Sequence, residues 1–214
     1  MESTQVPVSV YAEMTPNPAV LKFVANKKLV EVDSVEFRNI EEAQPSPLAT
    51  QLFHLPFVKE VFISSNYVAI SKFDIVEWEE VTLELRELIR DFLAQGNTVL
   101  DESALPTNLE AAEASSDNPS EQAGYIHPDE KTEAEWDEFD KKIVSLLDEY
   151  VKPAVTADGG NIKFLNHQDG IVSVLLQGAC SGCPSSTATL KQGIEGMLKN
   201  FLPGQIRAVQ AVNG

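Results

Sequence analysis

The chain has 214 residues, with 33 Asp or Glu against 16 Lys or Arg and a formal net charge of −17. That balance argues against the clustered basic surfaces that nucleic acids and anionic membranes require, and no apolar run approaches the ~18 residues of a membrane span. At 43% apolar and 23% charged residues, the composition is that of an ordinary globular protein of one or two domains.

The chain opens on Met1-Glu2-Ser3-Thr4-Gln5. It lacks both the basic and apolar start of a secretory signal and the Arg-rich start of a transit peptide. The expected location is therefore cytoplasmic, of bacterial type. Thr15-Pro16-Asn17-Pro18 is a turn signal with two fixed φ angles. Leu21 to Val24 and Val35 to Phe37 read as strands, and Pro47 opens a short helix over Leu48 to Leu55 that Pro56 ends. Val58 to Ile63 and Tyr67 to Ile70 flank Ser64-Ser65-Asn66 as a β-hairpin. Trp78, Val81, Leu85, Leu88 and Phe92 recur at the spacing of one helix face, with Gly96 as its C-terminal stop.

Residues 101–135 then carry ten acidic residues against one basic, with much Ala and Ser and few large apolar side chains. Such a stretch buries too little surface to offset the entropy of ordering. The predicted organisation is a domain over residues 1–100, an acidic flexible linker over 101–131 and a second domain over 132–214. Thr132-x-x-Glu135 is a capping-box pattern. Phe139, Ile143, Leu146 and Tyr150 follow at helical spacing, in a helix that must stop before Pro153. Asn161 to Leu165 and Ile171 to Leu176 are strands about a Gln168-Asp169-Gly170 turn. Leu190, Ile194, Met197 and Phe201 mark a last helix, ended by Pro203-Gly204, and Ile206 to Val212 a last strand. The predicted class is α+β: two small two-layer sandwiches, the second in the order α-β-β-α-β.

Between strand and last helix stands Gly178-Ala179-Cys180-Ser181-Gly182-Cys183-Pro184, which holds the only two cysteines of the chain. Pro184 suits a first helical position. The free N–H groups of that helix start face Cys183 and favour its thiolate, so a lowered pKa is expected for that thiol. Gly178 and Gly182 let backbone pass close to a bulky object. Three chemistries compete. A dithiol oxidoreductase also places C-x-x-C at a helix start, but the one helix and one strand predicted after Cys183 fall short of the thioredoxin fold. Zinc wants four ligands, and His54, His127 and His167 are scattered. An iron–sulfur cluster wants four thiolates, which two copies of the chain could supply about a two-fold axis. A pair of buried structural cysteines fits the surrounding glycines least well.

The residues carry a resemblance. Val151-Lys152-Pro153, Asp158-Gly159-Gly160 and Leu176 to Ser186 resemble the NifU C-terminal (Nfu) domain. Residues 10–97, with Thr15-Pro16-Asn17-Pro18, Leu21-Lys22-Phe23 and Trp78, are similar to the N-terminal domain of Nfu proteins. Asn161 stands where many relatives carry an acid. The resemblance implies an iron–sulfur scaffold or carrier. Cys180 and Cys183 would be its metal and cofactor ligands, and a [4Fe–4S] cluster would be shared between the second domains of a homodimer. It also implies apo iron–sulfur client proteins and an upstream cluster donor as partners. A thiol–disulfide redox protein using the same two thiols is the alternative.

No Gly-rich phosphate loop, Ser-His-Asp set or paired catalytic carboxylates stand out, so no enzyme activity is expected. The cysteine-free first domain is read as a partner-recognition module. Asp158-Gly159-Gly160 is expected as a turn, and His167 as a solvated side chain beside the hairpin turn.

Overall fold

A computed structural model of the chain describes residues 7–105, 131, 133–181 and 184–213. The chain divides into two compact units, Met1–Gly124 and Tyr125–Gly214. Residues 106–130 of the expected linker, with His127, lie outside the described residues, as does Thr132.

The first unit is built on a five-stranded antiparallel sheet of β1 (Val10–Met14), β2 (Val20–Ala25), β3 (Val35–Phe37), β4 (Val58–Ser64) and β5 (Tyr67–Lys72). Their order is β1-β2-β5-β4-β3. Strand periodicity puts Leu21, Phe23, Val61, Ile63, Val68 and Ile70 on one face. Two helices, α1 (Pro47–Phe53) and α2 (Trp78–Ala94), close that face with Leu48, Leu52, Val81, Leu85 and Ile89. Ser46 caps α1 by accepting from Ala49 N at 3.1 Å and donates its hydroxyl to Val99 O at 2.7 Å. The Thr15-to-Pro18 turn is fixed from both sides. The Thr15 hydroxyl reaches the carbonyls of Asn17 and Val20, and Trp78 Nε1 donates to Pro18 O at 2.9 Å. Gly96 ends α2 at φ 74°, as the sequence predicts.

Strand β1 is an addition to the sequence reading. It pairs with β2 from Val10↔Ala25 to Met14↔Leu21. As an edge strand only part of its length is buried, which is why its apolar alternation is faint. Past α2, Val99 and Leu100 join the core. The Glu102 carboxylate then accepts from Glu31 N at 2.8 Å.

The second unit runs α3 (Glu138–Tyr150), α4 (Lys152–Ala157), β6 (Gly160–Gln168), β7 (Ile171–Gly178), α5 (Pro184–Phe201) and β8 (Ala208–Asn213). Strands β6 and β7 form a hairpin through Asp169 (φ 51°) and Gly170 (φ 76°). Strand β8 returns parallel to β7 because α5 carries the chain across the sheet. Ile143, Leu147, Val155, Ile194 and Leu198 cover Ile162, Phe164, Val172, Val174 and Leu176. Both units are thus helix layer on sheet, the α+β class expected.

Three local readings are corrected. The cap of α3 is Asp137, which accepts from Phe139 N and Asp140 N, not the Thr132 pattern; residues Glu133–Glu135 form a 3-10 turn ahead of it. The expected order α-β-β-α-β gains a helix: α3 ends at Tyr150, before Pro153 as the sequence predicts, but Pro153 then sits in the first turn of α4, after a break at Val151 whose φ is −110°. Tyr150 is not on the core stripe, which runs Ile143, Leu147, Val151. Its ring instead lies 4.9 Å from that of Phe201, both half exposed.

Candidate iron–sulfur site

Cys180 sits where two turns meet at one end of the second sheet. Gly160, at the start of β6, is the register partner of Gly178, at the end of β7. The chain enters β6 through Asp158-Gly159-Gly160, with Gly159 at φ 84°, and leaves β7 through Gly178 at φ 65°. Side chains with a Cβ rarely adopt these angles, so glycine is required at both corners. Ala179 N donates to Gly159 O at 3.2 Å and ties the turns together. Ser181 folds back, its backbone N–H and its hydroxyl both donating to Gly178 O, at 3.1 and 2.8 Å. The Thr187 hydroxyl, in the first turns of α5, donates to Cys180 O at 3.1 Å. The cysteine turn is therefore held by β6, β7 and α5 together.

The thiol itself points inward. Cys180 is 7% exposed and belongs to the apolar core of the unit. Burial pushes its pKa up to about 11, and the nearby Asp158 carboxylate adds to the effect. The lowered thiol pKa expected from the helix start concerns Cys183, so the raised value at Cys180 does not bear on it. Cys183 and Gly182 lie outside the described residues.

The remaining candidates do not converge on this point. His54 follows α1 in the first unit. His167 is seven positions from Gly160 along β6, at the far end of the strand. It is not freely solvated as expected: its ring lies 4.8 Å from Phe139, and its Nε2 is buried with no hydrogen-bond partner among the described residues. Among the described residues, no three His, Cys, Asp or Glu side chains gather into a metal site. Asp158-Gly159-Gly160 is the turn expected, and it also walls the thiol. Sequence reasoning missed Asp140, a fully buried carboxylate held by Lys131 Nζ at 2.9 Å. Its place on the inner stripe of α3, one turn before Ile143, was the available signal.

Comparison with known proteins decides the family. The profile described as "Scaffold protein Nfu/NifU N terminal" matches residues 10–96, from β1 through α2. That described as "NifU-like domain" matches residues 143–210, which include the Cys180 turn. The chain is 34% identical over 199 residues to the human "NFU1 iron-sulfur cluster scaffold homolog, mitochondrial", covering 92% of this chain and 69% of that one. The chain belongs to the Nfu family. It is also 35% identical over 203 residues to "NifU-like protein 4, mitochondrial" of Arabidopsis thaliana, covering 94% of this chain. The Nfu homologue of Drosophila willistoni, whose printed name matches the human one, is 33% identical over 199 residues and covers 92% of this chain. The chain spans 65% of the Arabidopsis relative's length and 61% of the Drosophila relative's.

All three of these Nfu relatives are named mitochondrial. This overturns the expected bacterial-type cytoplasmic location. Targeting signals lie outside folded domains, so the composition of the domains is no guide to compartment. Among the described residues, no helix is long and apolar enough to cross a membrane.

Proposed function

We propose that this chain is an iron–sulfur cluster scaffold and carrier, with no catalytic activity of its own. Cys180 and Cys183 of two copies hold one [4Fe–4S] cluster at an interface between their second domains, and the cluster is then passed to apo iron–sulfur proteins. The observation that carries the reading is the Cys180 turn, glycine-cornered and walled by Asp158-Gly159-Gly160, inside the NifU-like match. The relatives' printed names supply the scaffold role.

The chemistry supports it. Two cysteines per chain fall short of the four thiolates a cluster takes, so full ligation calls for a second copy. No Lys, Arg or His lies between residues 178 and 184, and Asp158 opposes thiolate at Cys180. Iron itself must then displace the thiol proton. A site that forms on dimerisation and loses its charge balance when iron leaves is suited to release as well as to capture. The cluster comes from an upstream donor. The first domain, over residues 1–100, would recognise partners, and the acidic segment over 101–131 would tether it to the cluster domain over 132–214. The dithiol redox alternative needs one exposed thiolate, which would have to be Cys183, since Cys180 is buried with a raised pKa.

Anaerobic reconstitution with iron and sulfide tests the proposal. The wild-type chain should yield a brown dimer with four iron and four sulfide per pair, on the order expected for one cubane cluster. Cys180→Ser and Cys183→Ser should each remain colourless. Unchanged iron and sulfide content in either variant would refute it, as would a complete cluster held by a monomer in native mass spectra.

A further inference from the structure

The absence of a side chain at residue 160 has a specific spatial use. A Cβ built on Gly160 would stand 2.8 Å from Cys180 Sγ, 3.1 Å from its Cβ and 2.7 Å from Gln177 O. Real Cβ atoms do not approach other heavy atoms so closely. The sulfur therefore occupies space that any other residue at 160 would claim. Gly160 has no conformational need to be glycine of the kind that Gly159 and Gly178 have, since its φ is not among the positive values. Its reason is steric: the backbone oxygen of Gln177 and the Cys180 thiol both fill the space, and of the two the thiol is the one on a side chain that can turn away.

That placement conflicts with ligation by an interface cluster. A thiol 7% exposed in the unit's own apolar core cannot reach iron shared with a second chain while it stays there. The bonds that hold the turn among the described residues include Ala179 N to Gly159 O, Ser181 to Gly178 O, and the Thr187 hydroxyl to Cys180 O, and each must give for the thiol to leave. Gly178, at positive φ, stands at the foot of the turn, where backbone rotation meets least steric resistance.

The geometry points to Gly160 as a positioning residue that forms a socket for Cys180: the cluster-free chain stores the thiol against the bare Cα of Gly160, and loading requires residues 179–181 to carry it outward. This rests on the reading of Cys180 as a cluster ligand, which the reconstitution of Cys180→Ser tests separately. The socket is tested on iron-free protein, so either can fail alone.

The experiment follows alkylation of Cys180 by iodoacetamide in the full chain carrying Cys183→Ser, by mass spectrometry, at one pH. Native protein should react at least ~100-fold more slowly than the same protein in guanidinium chloride, as a thiol seen only through local opening does. A native rate within about tenfold of the unfolded one would overturn the socket. Adding Gly160→Ala should speed native labelling by about tenfold or more, because the methyl group expels the sulfur. Leu198→Ala is the control, since it loosens the same core from α5 without touching the socket. If Leu198→Ala, at a matched loss of melting temperature, accelerates labelling as much as Gly160→Ala, Gly160 is merely structural and the proposal fails. If Gly160→Ala does not fold, the comparison of native with unfolded labelling decides alone.

Discussion

A thiol in the core ties stability to alkaline pH. Cys180 ionises near 9.0 when unperturbed and near 11 in the folded unit. Its folded pKa is raised, so its contribution is fully present below the unfolded value and is lost as pH climbs through the folded one. The second unit should lose on the order of 2 kcal/mol between about pH 9 and 11 on this account. Thermal melts across that window should show a steep alkaline limb in wild type and a flatter one in Cys180→Ala. Equal slopes would mean the thiol titrates normally. Asp140 makes the opposite demand. Its carboxylate is fully buried, and the Lys131 ammonium, itself partly exposed, sits 2.9 Å away. Removing that partner as Lys131→Met leaves a buried charge that, among the described residues, the backbone N–H of Asp137 approaches at 3.4 Å. Discounting for the exposed ammonium, the loss should be about 2 kcal/mol, read from urea unfolding of the second unit. Asp140→Asn with Lys131→Met should recover part of it, because the unpaired charge is then gone.

At the level of elements, α3 depends on its first turn. Asp137 accepts from Phe139 N at 2.8 Å and Asp140 N at 2.7 Å, and these bonds hold its carboxyl below the usual range. Asp137→Ala should destabilise the second unit at neutral pH, and the deficit should shrink as pH falls and the wild-type carboxylate protonates. A deficit independent of pH would point to packing rather than capping. This cap also marks the boundary of what could be read beforehand. Helices α2 and α5, the β4–β5 and β6–β7 hairpins and the α+β layering were legible because their apolar spacing is regular and their turns carry Gly, Pro, Asn or Asp. Thr132-x-x-Glu135 matched a capping box as well as the true start did, and only tertiary docking selects between adjacent candidates. Tyr150 kept helical spacing yet lies off the core stripe, because the buried positions step by four from Ile143 through Leu147 to Val151 and leave Tyr150 at the edge of that face. At the site, two cysteines beside glycines and a proline marked the turn out as a candidate for metal or redox chemistry. The inward turn of Cys180 stayed illegible, since it depends on Gly160, which is remote in sequence and adjacent only through β6–β7 register.

For the whole molecule, the decisive feature is that two separate cores share no residue. One is built on Phe23, Ile63 and Leu85, the other on Ile143, Val174 and Leu198. Each core joins a full sheet to its own helices, so neither unit needs the other to bury its apolar face. The only two cysteines lie in the second. Loading and recognition should therefore be separable. A chain lacking residues 1–100 should bind iron and sulfide in the same ratio per chain as the full protein. It should deliver a cluster to an apo client at least about tenfold more slowly, because the client is no longer held near the site and the gain from tethered contact is lost. Adding residues 1–100 as a separate polypeptide should restore little of that rate at micromolar concentration, since effective concentration comes from the covalent link. If the shortened chain fails to load, the first unit takes part in building the site. If it loads and delivers at the full rate, client recognition resides in the cluster-bearing unit itself, and the first unit's sheet serves some other purpose.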